Sequence, residues 1–256
     1  MDHLIGLGGT PAFWVAVVVT LFAGFVKGAV GFAMPLIMIS AFSSFLPPEQ
    51  ALAGLIMPTV VTNISQAFRQ GPRAAWESAV KYRRFLIATL VFIVISAQFV
   101  EVIPQAAFLF LLGVPITLFA LAQLTGRKLA LRLEHRERAE WVMGVIGGLY
   151  GGISGVWGPP LIVYLLSIGA EKVETVRVQG VVFLLGAVVL LGAHLQTGVM
   201  AGPNLWFSAA MVVPAVLGQV IGLRLQDRLD QVRFRRWTQA LLVLTGANLV
   251  WRALML

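Results

Sequence analysis

Residues 24–36 read GFVKGAVGFAMPL and residues 148–160 read GLYGGISGVWGPP. Gly24, Gly28, Gly31 and Pro35 of the first stretch match Gly148, Gly152, Gly155 and Pro159 of the second at a constant offset. Both stretches lie within long apolar runs, where glycines three and four residues apart let helices approach closely. Proline is accepted in the first turn of a helix and disrupts its interior. Pro35 and Pro159 therefore read as the starts of second half-helices. Each run becomes a helix broken by glycine and proline, folded as a re-entrant or hairpin segment.

Outward from these stretches, apolar segments recur at about 11–46, 51–68, 85–100, 106–123, 141–168, 173–194, 205–223 and 237–254. Most reach the ~18 residues that a helix needs to cross the hydrocarbon layer. They are continuously apolar and not alternating, which favours helices over a barrel. Composition agrees, with 59% hydrophobic and 12% charged residues, about half the charge of a soluble domain. The expected fold is an all-α integral membrane protein of about eight apolar segments. They form two inverted repeats, each starting with a broken segment, at 1–123 and 124–256, within one integrated membrane domain.

The net charge of +8 is concentrated, with fifteen of nineteen Lys and Arg residues in 69–84, 127–140 and 224–236. Short basic loops between apolar runs mark cytoplasmic loops and set topology, which argues against a nucleic-acid role. If 127–140 and 224–236 are both cytoplasmic, one of the three segments between them does not cross, and 141–168 is the candidate. Loop 69–84 is basic while its counterpart 195–204 is uncharged; loop 99–105 is acidic or neutral while 224–236 is basic. Swapped loop charge at matching positions is what inversion requires. The match continues loosely, Arg69-Gln70-Gly71 against Gln196-Thr197-Gly198 and Gln98 against Gln219. The termini are expected outside. The first run starts near Pro11 without a basic flank, so no cleavable signal peptide is expected.

A half-helix that starts near the membrane midplane presents backbone N–H groups and the positive end of its dipole, a site for anions. Lys27 sits inside an apolar run, where a cation needs a partner; snorkelling, a carbonyl or an anion would each supply one. Arg177 is either a second anion contact or an interfacial residue near Glu171 and Glu174. Asn63, Ser65, Gln66, Gln98, Ser154, Gln179, His194 and Gln219 are uncharged polar residues within spans, expected chiefly in interhelical hydrogen bonds. Trp157 and Tyr164 either line a cavity or pack. No Asp or Glu falls mid-span, so a relay built on a buried carboxylate is not expected. Cysteine is absent and the three histidines are scattered, which argues against a metal centre or a catalytic triad. No cofactor and no enzyme activity are expected.

The two glycine-proline stretches, with Arg177 and the Gly218-x-x-x-Gly222 pair, resemble the sulfite exporter TauE/SafE family over essentially the whole chain. The resemblance implies a multi-pass permease of the bacterial inner membrane for small sulfur-containing anions such as sulfite or organosulfonates. The family often carries consecutive glycines before the proline; here Phe32-Ala33-Met34 and Val156-Trp157 stand there instead. The expected substrate-binding set is Lys27, Gly28, Gly31, Met34 and Pro35 with Gly152, Gly155, Trp157, Gly158, Pro159 and Arg177, holding the anion between the broken segments. Expected partners are a small anionic substrate and the lipid bilayer, with no nucleic acid; a homodimer stays open. An anion channel and a non-transporting membrane scaffold are the alternatives to a carrier working by alternating access.

Overall fold

The structure is a computed structural model that describes residues 10–126, 135–225, 228 and 230–256. Residues 127–134, much of the second basic loop, lie outside the described residues, as do 226, 227 and 229 of the third. The described residues form helices and turns and contain no strand. In chain order the helices are α1 Pro11–Val30, α2 Met34–Phe42, α3 Pro48–Ala67, α4 Pro72–Lys81, α5 Arg83–Ala97, α6 Gln105–Leu124, α7 Arg136–Ser154, α8 Gly158–Ser167, α9 Lys172–Gln196, α10 Gly202–Leu225 and α11 Gln231–Met255. Four of them, α1, α6, α9 and α10, are long and apolar enough to cross a membrane, and α3 with α4 makes one further candidate bent by 106°.

Both broken segments break where the residues require it. Helix α1 stops at Gly31, whose φ of 87° is left-handed and whose N–H returns to the Lys27 carbonyl at 2.7 Å. Helix α7 stops at Gly155, with φ 71° and its N–H on the Gly151 carbonyl at 2.7 Å. Only glycine takes this conformation without steric cost, so it ends the helix. Three residues later α2 and α8 begin, each with proline in its first turn. The helix ends, caps and restarts thus fall at matching positions of the two sequence copies. Gly71 and Gly198, matched in sequence, also share a left-handed backbone, at φ 90° and 89°. One asymmetry remains: Ala33, the residue before α2, sits at φ 78°.

The helices gather into two compact units, each drawing on both sides of the boundary at 123/124. The first contains α1, α2, the start of α3 up to Pro58, α6, α10 and α11. Here α1 and α10 touch backbone to backbone: a Cβ on Gly24 would lie 2.3 Å from the Ala215 carbonyl oxygen, and one on Gly28 2.2 Å from that of Gln219. The contact is reciprocal, since a Cβ on Gly218 or Gly222 would lie 2.1 Å from the Leu21 or Phe25 oxygen. Helices α6 and α11 meet through Gly113 and Gly246. Arg252 of α11 donates to the Ser43 carbonyl at 2.6 Å, satisfying the end of α2.

The second unit contains α3 from Thr59 onward, α4, α5, α7, α8 and α9. Its central pair is α5 with α7, where a Cβ on Gly148 would meet the Thr89 oxygen at 2.6 Å and one on Gly152 the Ile93 oxygen at 2.4 Å. Hydroxyls reinforce this seam: Thr89 donates to the Gly144 carbonyl at 3.2 Å and Ser96 to that of Gly148 at 3.0 Å. Gly24 and Gly28 therefore face Ala215 and Gln219 as Gly148 and Gly152 face Thr89 and Ile93. That register corrects the match of Gln98 with Gln219: Gln98 is the exposed end of α5, whereas Gln219 is buried against Gly28. Outside the seams large apolar side chains face outward, among them Val18, Leu118, Leu217 and Leu244. Such surfaces suit a lipid solvent.

Gly28→Ala and Gly152→Ala are expected to lower the thermal midpoint of the detergent-purified protein, because the added methyl meets backbone that cannot rotate away; overpacking of this kind costs ~1–3 kcal/mol. Gly192→Ala, exposed and with no atom within 4 Å of the new methyl, is expected to leave the midpoint unchanged or raise it. In the same assay Ala33→Gly is tolerated, while Ala33→Val, which forces a β-branched residue into a left-handed backbone, destabilises by more than ~1 kcal/mol.

Candidate functional site

The first break assembles Lys27, Gly28, Gly31, Met34 and Pro35 within the first unit, and the second assembles Gly152, Gly155, Trp157, Gly158 and Pro159 within the second. The residues that precede α2 and α8, Ala33 and Trp157, do not cap the first turn with their own side chains. The positive ends of both half-helices are thus left to other partners. Part of the expected backbone cradle is already used. The Gly155 N–H goes to the Gly151 carbonyl, and that of Val156 to Ser154 Oγ at 3.1 Å.

The side chains at the two breaks differ in a compensating way. Lys27, 2% exposed, lies in the last turn of α1, and its matching residue on α7 is Gly151. Trp157, also 2% exposed, matches Ala33. In the second copy the indole occupies the room over the glycine: a Cβ on Gly151 would lie 2.7 Å from Trp157 Cε3. Gly186 on α9 admits the other side of the ring, where a Cβ would meet Trp157 Cζ2 at 2.6 Å, and Phe183 packs edge-on at 6.1 Å between centroids. Every break therefore has a buried N–H donor, the Lys27 amine before the first and an indole beside the second. The indole Nε1 has no hydrogen-bond partner among the described residues. A buried orphan donor is rare and costly; Ser40 Oγ and Ser43 Oγ share that state among the described residues.

His194 was legible in the sequence only as one of several polar residues in spans. It is fully buried, and its Nε2 lies 3.0 Å from the Gly152 carbonyl. A carbonyl only accepts, so Nε2 carries the proton, and Nδ1 faces Thr197 Oγ1 at 3.3 Å. His194 thereby holds one of the last carbonyls of α7 just before the break. Of the other polar residues, Gln66 bonds across to the Val176 carbonyl at 3.2 Å and Asn63 bonds back to that of Thr59 at 2.8 Å. Tyr164 packs against Tyr82 and Phe85.

Arg177 lies elsewhere, about 9 Å of helix rise before Phe183 along α9. Its Nε donates to Ser78 Oγ at 2.7 Å and its Nη1 to Gln70 Oε1 at 2.5 Å, pinning α4 to α9. An open cleft of about 280 Å³ surrounds it, lined by Glu77, Ser78, Lys81, Glu171, Val173 and Glu174. Glu174 takes Lys81 Nζ at 2.5 Å and the Tyr82 hydroxyl at 2.9 Å. Burial and then this hydrogen bond raise the Tyr82 hydroxyl above its usual pKa, so it remains a donor. Three carboxylates, Glu77, Glu171 and Glu174, share the cleft with Lys81 and Arg177.

Sequence reasoning also missed Glu140, which it placed in a charged loop. Helix α7 begins at Arg136, and Glu140 is 4% exposed on its inner face. One oxygen accepts the Phe85 N–H at 3.2 Å and the other the Tyr164 hydroxyl at 3.3 Å. Phe85 lies in the first turn of α5, which has no cap of its own, so Glu140 caps it from the neighbouring helix. Arg84 and Glu137, 2.7 Å apart, tie the same two helix ends.

The family described as Sulfite exporter TauE/SafE matches residues 16–249. No curated protein and no solved structure matches the chain. The family match runs from within α1 to within α11, across both breaks and both glycine seams, and the chain belongs to the sulfite exporter TauE/SafE family.

Proposed function

We propose that this chain is a permease for small anions, sulfur-containing oxyanions or organosulfonates, which it exports by alternating access. The family is one of membrane transporters, and the finer statement rests on one observation. Each broken segment combines a half-helix start that its preceding residue does not cap with a buried N–H donor, Lys27 at the first and Trp157 at the second. Backbone amides, a helix dipole and one added donor suit a small multivalent acceptor such as an oxyanion. The unpartnered Trp157 Nε1 supports the same reading, because a bound oxyanion would supply the missing acceptor. Arg177 is not needed for it, since Gln70 and Ser78 already engage its guanidinium.

The carrier mechanism draws support from the exchange of equivalent contacts, α1 on α10 and α7 on α5, and from the opposite loop charges, both features of inverted repeats. The chain would lie in the bacterial inner membrane with both termini outside. An inside-negative potential then favours anion efflux by ~2.3 kcal/mol per charge per 100 mV. Net uptake by vesicles clamped inside-negative, with no other gradient, would overturn export.

Thermal stability of the detergent-purified protein, measured against sulfite, methanesulfonate, chloride, choline and glycerol, tests the anion site. A ligand at a hundredfold excess over its dissociation constant stabilises by ~2.7 kcal/mol. Sulfite or the sulfonate is expected to stabilise selectively. Lys27→Ala should weaken that binding ten- to a hundredfold, the size of a lost charge-assisted hydrogen bond of ~1.5–3 kcal/mol. Trp157→Phe should also weaken it, on top of the loss of ligand-free stability that the smaller ring's unfilled space against Gly151 and Gly186 brings. Stabilisation by choline or glycerol but by no anion refutes the reading.

A further inference from the structure

We propose that α4 is an interfacial helix that lies flat in the headgroup layer and takes anionic lipids as its partner. This surface is independent of the anion site above. Helix α4 has 10 residues, about 15 Å of rise, too short to cross hydrocarbon. It turns away from α3 by 106° through Gly71, whose φ is 90°.

Its side chains fall into three lengthwise stripes. Ala75 packs with Ala67 and Val181, Ala79 adds to that cluster, and Ser78 takes the Arg177 bond, so one stripe is fixed to the protein. Pro72, Trp76 and Val80 form a second, apolar stripe facing outward, with Trp76 70% exposed. Arg73, Glu77 and Lys81 form the third, charged and exposed. Water does not suit the second stripe, and hydrocarbon does not suit the third. The bilayer boundary suits both, with the indole at headgroup depth and the charges toward water. Arg69 and Arg83 stand exposed at the two ends of α4 and form no salt bridge among the described residues. Their free charge is what selects anionic headgroups.

The natural chain has no cysteine, so single cysteines at 73, 76, 77 and 80 can carry a nitroxide without background. In liposomes of phosphatidylcholine with phosphatidylglycerol, labels at 76 and 80 are expected to be relaxed by oxygen, and those at 73 and 77 by a water-soluble nickel chelate. Nickel relaxation at all four positions would make α4 a water-facing helix, and shielding of 76 and 80 from both reagents would mean that protein covers the stripe; either overturns the proposal. Headgroup preference is read from spin-labelled lipids as the ratio of immobilised phosphatidylglycerol to phosphatidylcholine. A ratio of two or more is expected, falling toward one in the Arg69→Gln, Arg83→Gln double variant. A ratio near one in the unmodified chain, or one unchanged in the variant, overturns the anionic partner.

Discussion

Contact between helix backbones, made possible by missing side chains, is the constraint on which this architecture depends. In lipid no hydrophobic force drives helices together, because the acyl chains are as apolar as leucine. Close approach then supplies the attraction through dispersion and carbonyl-edge contacts. Gly24 and Gly28 on α1, Gly218 and Gly222 on α10, and Gly144, Gly148 and Gly152 on α7 all spend their side-chain space on a neighbouring backbone. The two seams are built differently. On α10 glycine answers glycine, while α5 answers α7 with the Ala88 methyl and with Thr89 and Ser96, whose two hydroxyls reach carbonyls that the glycines leave uncovered.

These seams also position the chemistry. The glycines that hold α1 and α7 against their partners end one turn or less before Gly31 and Gly155, where each helix stops. The breaks are therefore anchored up to their last helical turn. His194 and Glu140 show the same economy with polar atoms. One secures a late carbonyl of α7 and the other an early N–H of α5, so two helix ends in the second unit are satisfied by side chains from other helices.

Much of this was legible in the residues. Positive-φ glycine and first-turn proline have strong local preferences, so the breaks at 31–33 and 155–157 were readable without knowledge of any neighbour. Helix pairing was not, because a glycine face carries no label for its partner. The Gln98–Gln219 match failed for this reason: it followed residue identity, while the register follows which carbonyl meets which glycine. Charge misled in two places. The stretch 69–84 read as a loop because its cations outweigh its short apolar stripe, yet it contains α4. Glu140 fell within the basic stretch 127–140, yet α7 begins at Arg136 and turns it inward. Ser96 gave no signal except its two-turn spacing from Thr89.

The pair of breaks also bears on how matching stretches of one chain are compared. Residue by residue, Lys27 against Gly151 and Ala33 against Trp157 are two unrelated differences. In space they are one exchange: where the helix before the break gives up its donor, the residue after it brings an indole into the vacated room. A column-by-column alignment counts two losses, whereas the folded chain retains one buried N–H at each break. Likeness between such stretches is better measured by the atoms delivered to a place than by the residues found at a position.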